Sequence, residues 1–172
     1  MRSHMEFHTL ASNRYSCRAL SQKPVEPALI NQILETAILA PTAVNKQPYR
    51  IFHMVSPEAK NAIGQVTNFT FGAQNFLVVG YKNSDGWVRS FDGTPFACVD
   101  ASIVATHIMM EIADLGLATT WVGHFDAPLL KKLCPEMAEY ELIAIFPIGY
   151  AAEDAQPSPR HTERSRDVIS CL

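Results

Sequence analysis

Residues 96–115 constrain the fold most. Ile103, Val104, His107, Ile108, Ile112 and Leu115 recur there at helical spacing. The helix they predict is apolar nearly all round, so it needs partners on every side. Gly116 follows where a left-handed C-terminal cap belongs. The chain has 172 residues, 48% hydrophobic and 18% charged. That suits one domain of ordinary size, or one subunit of an oligomer. A short chain supplies neighbours for such a helix best by dimerising. His107, on this helix, reads as a satisfied core histidine.

Other elements follow from the same periodicities. Residues 25–39 read as a helix through Leu29, Ile30, Ile33, Leu34, Ala37 and Ile38. Pro27 suits its first turn and Pro41 limits its end. Residues 50–55 read as a strand and 59–66 as a short helix. Residues 75–81 read as a strand buried on both faces. Residues 119–122 and 142–150 are further strands, and Asp126 can cap a short helix through Leu133. Residues 83–95, with Gly86, Gly93 and Pro95, form a polar loop, and the tail after Ala151 is polar and irregular. Helices and strands mix without strict alternation, which predicts an α+β fold.

Several function classes are excluded. The net charge of −3 argues against a sequence-independent nucleic-acid binder. No apolar run approaches the roughly 18 residues that span a bilayer. There is no signal-peptide pattern. Residues 1–5 read as an expression leftover before a native start at Met5, leaving a single domain over 6–172. Cys17, Cys98, Cys134 and Cys171 are scattered without a CxxC, so reduced thiols in a cytoplasmic protein are the simplest reading. HExxH, GxSxG, GxGxxG and P-loop motifs are all absent.

Four segments carry possible chemistry. In an extended segment, Arg14, Ser16 and Arg18 share one face, with Tyr15 and Cys17 opposite. Two guanidiniums and a hydroxyl suit a phosphate, or are simply solvated arginines. Pro41, Thr42, Ala43, Asn45, Gln47 and Pro48 fall in a tight turn between helix and strand. Its carboxamides could meet the edge of a flat heterocycle, or only satisfy local backbone. Gly123, before His124, allows a ligand close to the backbone, or marks a strand end. Arg160 is a second candidate for a phosphate, or part of a solvated terminus.

In this order and at these separations, the segments resemble the FMN-dependent nitroreductase family. Arg14, Ser16 and Arg18 match its opening element. Residues 40–49 match its Ala-Pro-Ser-x-x-Asn-x-Gln-Pro-Trp turn, with Thr42 for Ser and Tyr49 for Trp. Gly116-Leu117, Trp121-Val122-Gly123, Ile148-Gly149-Tyr150 and Arg160 follow in the family's order. The resemblance covers residues 10–169. It implies a nitroreductase-like α+β fold, a central, mostly antiparallel sheet flanked by helices. It also implies an intertwined homodimer with two FMN sites at the subunit interface. Arg14, Ser16 and Arg160 would hold the phosphate, with Arg18 near the N1/O2 edge. Pro41, Thr42, Ala43, Asn45 and Gln47 would contact ring and ribityl chain, partly from the other subunit. The backbone at Gly123 and His124 would face N5.

The implied activity is ping-pong transfer of two electrons from NADH or NADPH, through the flavin, to a nitroarene, quinone or similar acceptor. Arg18 would stabilise the anionic reduced flavin, so Arg18→Ala should lower its reduction potential. The loop 83–95 stands where longer members carry a helical excursion over the site. Alternatives are a dehalogenase or metabolite dehydrogenase on the same fold, a flavin-binding or redox-sensing protein with little turnover, and an unrelated binding module.

Overall fold

The computed structural model describes residues 6–163, 165 and 167–170; the leading segment 1–5 and Cys171 lie outside the described residues. Its centre is an antiparallel sheet in the order β1 (Tyr49–His53), β2 (Asn75–Tyr81), β3 (Glu141–Ile148). The register pairs Ile51 with Val79, and Val79 with Ala144. β2 is apolar from Phe76 to Gly80 because both its faces are covered there. Leu77 and Val79 enter one core, Phe76 and Val78 the other. Alternation along a strand sends neighbours to opposite faces, so one strand serves two cores.

The first core joins the sheet to α2 (Pro27–Ala37) and α4 (Ala97–Asp114) through Ile30, Ile33, Val104, Ile108, Ile112 and Phe146. The second joins it to α3 (Pro57–Val66) and α5 (Ala127–Leu133) through Ile63, Val66, Leu130 and Ile145. The helix starts are locally encoded. The Ser56 hydroxyl accepts the Ala59 N–H at 3.1 Å, and an Asp126 carboxylate oxygen accepts that of Leu129 at 2.9 Å. α4 ends in a Schellman turn. Gly116 has φ of 71°, its N–H donates to the Ala113 carbonyl, and Leu117 N–H donates to Ile112.

Two expectations need correction, and one element adds to them. First, α4 is not covered on every side in this chain. Ala97, Asp100, Ala101, Val104, Ala105, Ile108 and Ile112 are buried, but Cys98, Val99 and Thr106 are exposed. His107 is half-buried rather than a core residue, its Nδ1 2.9 Å from the Ile103 carbonyl. Second, the strand expected at 119–122 is reduced to two isolated bridges, Ala118 with Gly149 and Val122 with Ile145. The rung between them would fall on Pro147, which has no N–H, and the Pro147 carbonyl accepts the Thr119 hydroxyl instead at 2.7 Å. Beyond these, a short helix α1 (Phe7–Asn13) precedes the first motif. It buries only Leu10, so it left no periodic signal.

Candidate functional site

Residues 14–18 run from the end of α1 across the body of the protein. The Cys17 N–H donates to the Thr119 carbonyl, and its side chain is buried. That fixes the flanking side chains at the surface. Arg14, Tyr15, Ser16 and Arg18 line a cleft of about 370 Å³ with Ser158, Arg160 and His161. Arg14, Ser16, Arg18 and Arg160 therefore converge from opposite ends of the chain. Tyr15 shares the cleft instead of opposing it, because the segment is not a strand and does not alternate strictly. Burial, with the Cys17 thiol adding to it, pushes the Tyr15 phenol above its ordinary pKa.

Three guanidiniums and two serine hydroxyls supply donors, and no carboxylate is in the lining among the described residues. Such a donor set recognises a phosphate. Arg18 is exposed and donates to the Ser16 carbonyl at 3.3 Å.

A second cleft, about 200 Å³, begins at Arg18. Phe69, Phe71, Thr120, Trp121, Val122, Gly123 and His124 complete it. The Phe69 ring stacks on Phe71, centroids 5.9 Å apart, and meets His124 edge-on at 5.8 Å. Thr67 holds this corner, its hydroxyl donating to the His124 carbonyl at 2.9 Å. Gly123 is exposed, and a methyl group added there would meet only the Trp121 indole nitrogen, at 4.0 Å. The cleft is thus flat, aromatic-walled and open to backbone at one edge.

The turn from Pro41 to Pro48 is a separate surface; none of residues 41–47 lines either cleft. It links α2 to β1 through a 3₁₀ turn over Ala43–Asn45. Val44, Asn45 and Gln47 have φ of 45°, 55° and 51°. For a β-branched valine this is a true outlier, and each such residue stores roughly 1–3 kcal/mol. Three hydrogen bonds involving side chains add to the backbone bonds of Asn45 N–H to Thr42 and Lys46 N–H to Ala43. Gln47 N–H donates to the Thr42 hydroxyl at 3.1 Å, and the Gln47 amide donates to the Asn45 carbonyl oxygen at 3.0 Å. Ala43 N–H donates to Asp100 Oδ1 at 2.8 Å. The two carboxamides thus bond each other rather than the backbone.

Sequence reading missed several of these residues. Asp100 is 2% exposed, and its Oδ2 has no partner among the described residues. A lone aspartate among Ala97, Ala101 and Val104 was a signal of a buried polar task. Phe69 and Phe71 carried none, because two aromatics in a turn read as ordinary core. Phe71 is also the remaining non-glycine residue with positive φ among the described residues, at 51°.

Comparison with known proteins gives the family and the fold. The model of the nitroreductase family matches residues 11–68 and 66–150. An NADH dehydrogenase of Thermus thermophilus is 39% identical over 191 residues, covering 91% of this chain and 92% of that protein. A nitroreductase family protein from Clostridium difficile 630 superposes with a TM-score of 0.88 at 30% identity, covering 96% of this chain and 98% of the other. An iodotyrosine deiodinase of Danio rerio is 22% identical, covering 95% of this chain and 66% of that protein.

Proposed function

The chain belongs to the nitroreductase family, and from that premise we propose that it is an FMN-dependent oxidoreductase. It takes two electrons from NADH or NADPH and delivers them to a nitroarene, quinone or similar small acceptor, donor and acceptor entering in turn. One observation carries this reading: Arg18 lines both the guanidinium-rich cleft and the flat aromatic cleft. A ligand with a phosphate at one end and a planar ring at the other fits that donor set. A solved nitroreductase from Desulfitobacterium hafniense DCB-2 with bound FMN shares the fold, with a TM-score of 0.71 at 19% identity.

Bound FMN supplies the hydride chemistry that no side chain can perform. The protein's part is binding and orientation. Arg14, Ser16 and Arg160 hold the phosphate. Arg18 places a cation at the junction of the clefts, at the N1/O2 edge. Gly123 and His124 present backbone toward the reactive edge. Pro41, Thr42, Ala43, Asn45 and Gln47 form a rigid wall. Since that wall lies apart from the clefts in one chain, we assign it to the neighbouring subunit's site in a homodimer. Exposed Ile38, Leu39, Val44 and Val99 give a second copy apolar surface to cover. No helix among the described residues is long and apolar enough to cross a membrane.

The test is the visible spectrum of the protein with added FMN, followed by NADH and NADPH separately without oxygen. Bound-flavin bands that bleach support the reading, and the faster donor fixes the preference. Bands that persist reject NAD(P)H as donor and favour a flavin-binding protein with little turnover. The deiodinase relative favours one further reading, reductive dehalogenation. Release of iodide from iodotyrosine by the reduced protein would establish it.

A further inference from the structure

Arg160 reaches its cleft from a polar arm far along the chain from Arg14. The arm forms one 3₁₀ turn, Pro159–Thr162, capped by Ser158, whose hydroxyl accepts the Arg160 N–H at 3.4 Å. His161 follows Arg160 directly, and its N–H donates to the Ser158 carbonyl at 2.8 Å. In such a turn consecutive side chains diverge by about 120°. His161 is therefore free to grip the body while Arg160 points into the cleft.

The grip is visible. His161 Nε2 lies 3.3 Å from the carbonyl of Ser12, in the last turn of α1. The carbonyls of a last helical turn lack intrahelical partners, and they sit at the negative end of the helix dipole. An imidazole N–H suits both conditions. The His161 ring also stands edge-on to Tyr15, centroids 6.2 Å apart at 72°. Tyr15 is fixed in turn by its neighbour Cys17, buried and bonded to Thr119.

We propose that His161 is a positioning residue, a clasp that seats the arm on α1 and Tyr15 and thereby holds Arg160 against the cofactor's phosphate. This rests on the FMN reading above. It goes beyond it in giving selectivity for the phosphorylated flavin to a residue that itself need not touch the phosphate. Without the clasp, Arg160 would have to be ordered at the moment of binding, and the ordering entropy would come out of the affinity.

The test uses full-length protein stripped of flavin and titrated with FMN and with riboflavin, followed by flavin fluorescence. His161→Ala should weaken FMN about tenfold, the scale of one charge-assisted hydrogen bond. Riboflavin, lacking the phosphate, should change less than about twofold on the same scale. His161→Gln keeps an N–H donor for Ser12 and should retain most of the affinity. Adding His161→Ala to Arg160→Ala should cost nothing more, because both remove one contact. Unchanged FMN affinity in His161→Ala overturns the clasp, and so does equal weakening of both flavins. Additive effects overturn it too, since they would make His161 an independent ligand. A wild-type protein that binds neither flavin sinks the functional reading as well. One that prefers FMN while His161→Ala behaves as wild type sinks the clasp alone.

Discussion

The turn at Pro41–Pro48 and the cleft around Arg14 are built on opposite principles. The turn is local in sequence, strained at Val44, Asn45 and Gln47, and anchored on a buried carboxylate. The cleft has no residue with positive φ, is half-buried apart from exposed Arg18 and Arg160, and is assembled from chain segments separated by most of the sequence. A strained, anchored wall keeps its shape before any ligand arrives. Guanidiniums gathered at a surface are adaptable, and a ligand that brings countercharge adds to their binding energy. The difference predicts that the turn trades in fold stability and the cleft in affinity.

The largest effect should come from the anchor. Asp100→Ala leaves the Ala43 N–H without its acceptor and opens a void, and should cost about 2–3 kcal/mol of stability in chemical denaturation. Asp100→Asn keeps the acceptor and should cost less than about 1 kcal/mol. If both variants unfold like wild type, the turn is not anchored there. Arg160→Ala should behave in reverse. FMN affinity should fall about tenfold while the midpoint of denaturation shifts by less than about 0.5 kcal/mol, the usual range for an exposed site. A large stability loss would erase the contrast between the two regions.

Val44→Gly sharpens the comparison further. Relief of the left-handed valine should stabilise the protein by about 0.5–1 kcal/mol, yet weaken flavin binding a few-fold by about the same free energy of lost preorganisation. Tighter flavin binding in this variant would contradict the role given to strain. The smallest effect concerns His53, at the end of β1. Burial, helped by the Lys60 cation, holds its pKa below the ordinary value. The neutral form is thus favoured by folding, and the stability it contributes is present above about pH 6.5 and lost as pH falls below that. His53→Gln should flatten the stability profile between pH 7 and 5, with FMN affinity unmoved. A profile identical to wild type would remove this assignment.

The sheet and its helices were legible because each was written in a short window. The pattern at residues 75–81 announced a doubly buried strand, and Asp126 and Gly116 marked the ends of α5 and α4. The grouping of Arg14, Ser16, Arg18 and Arg160 was legible through the family's motif order. What stayed hidden depends on tertiary context. The missing rung at Pro147 shows only once the chain at 118–122 lies beside β3. Asp100 and Ala43 are 57 residues apart, so their bond has no local signature. Tyr15 was placed on the wrong side because strand alternation was applied to a segment held by Cys17 and Thr119 instead of a ladder.

The junction of Ser12 with His161 spans 149 residues. During synthesis, then, the guanidinium-rich cleft cannot be complete until the arm carrying Arg160 has emerged, long after β1, β2 and α4 can begin to pair. Contacts of such long range close late, because the intervening chain must be ordered first. On the proposed reading, cofactor capture is accordingly a closing event of maturation, and a nascent chain halted before the arm would hold a sheet and helices without the completed cleft.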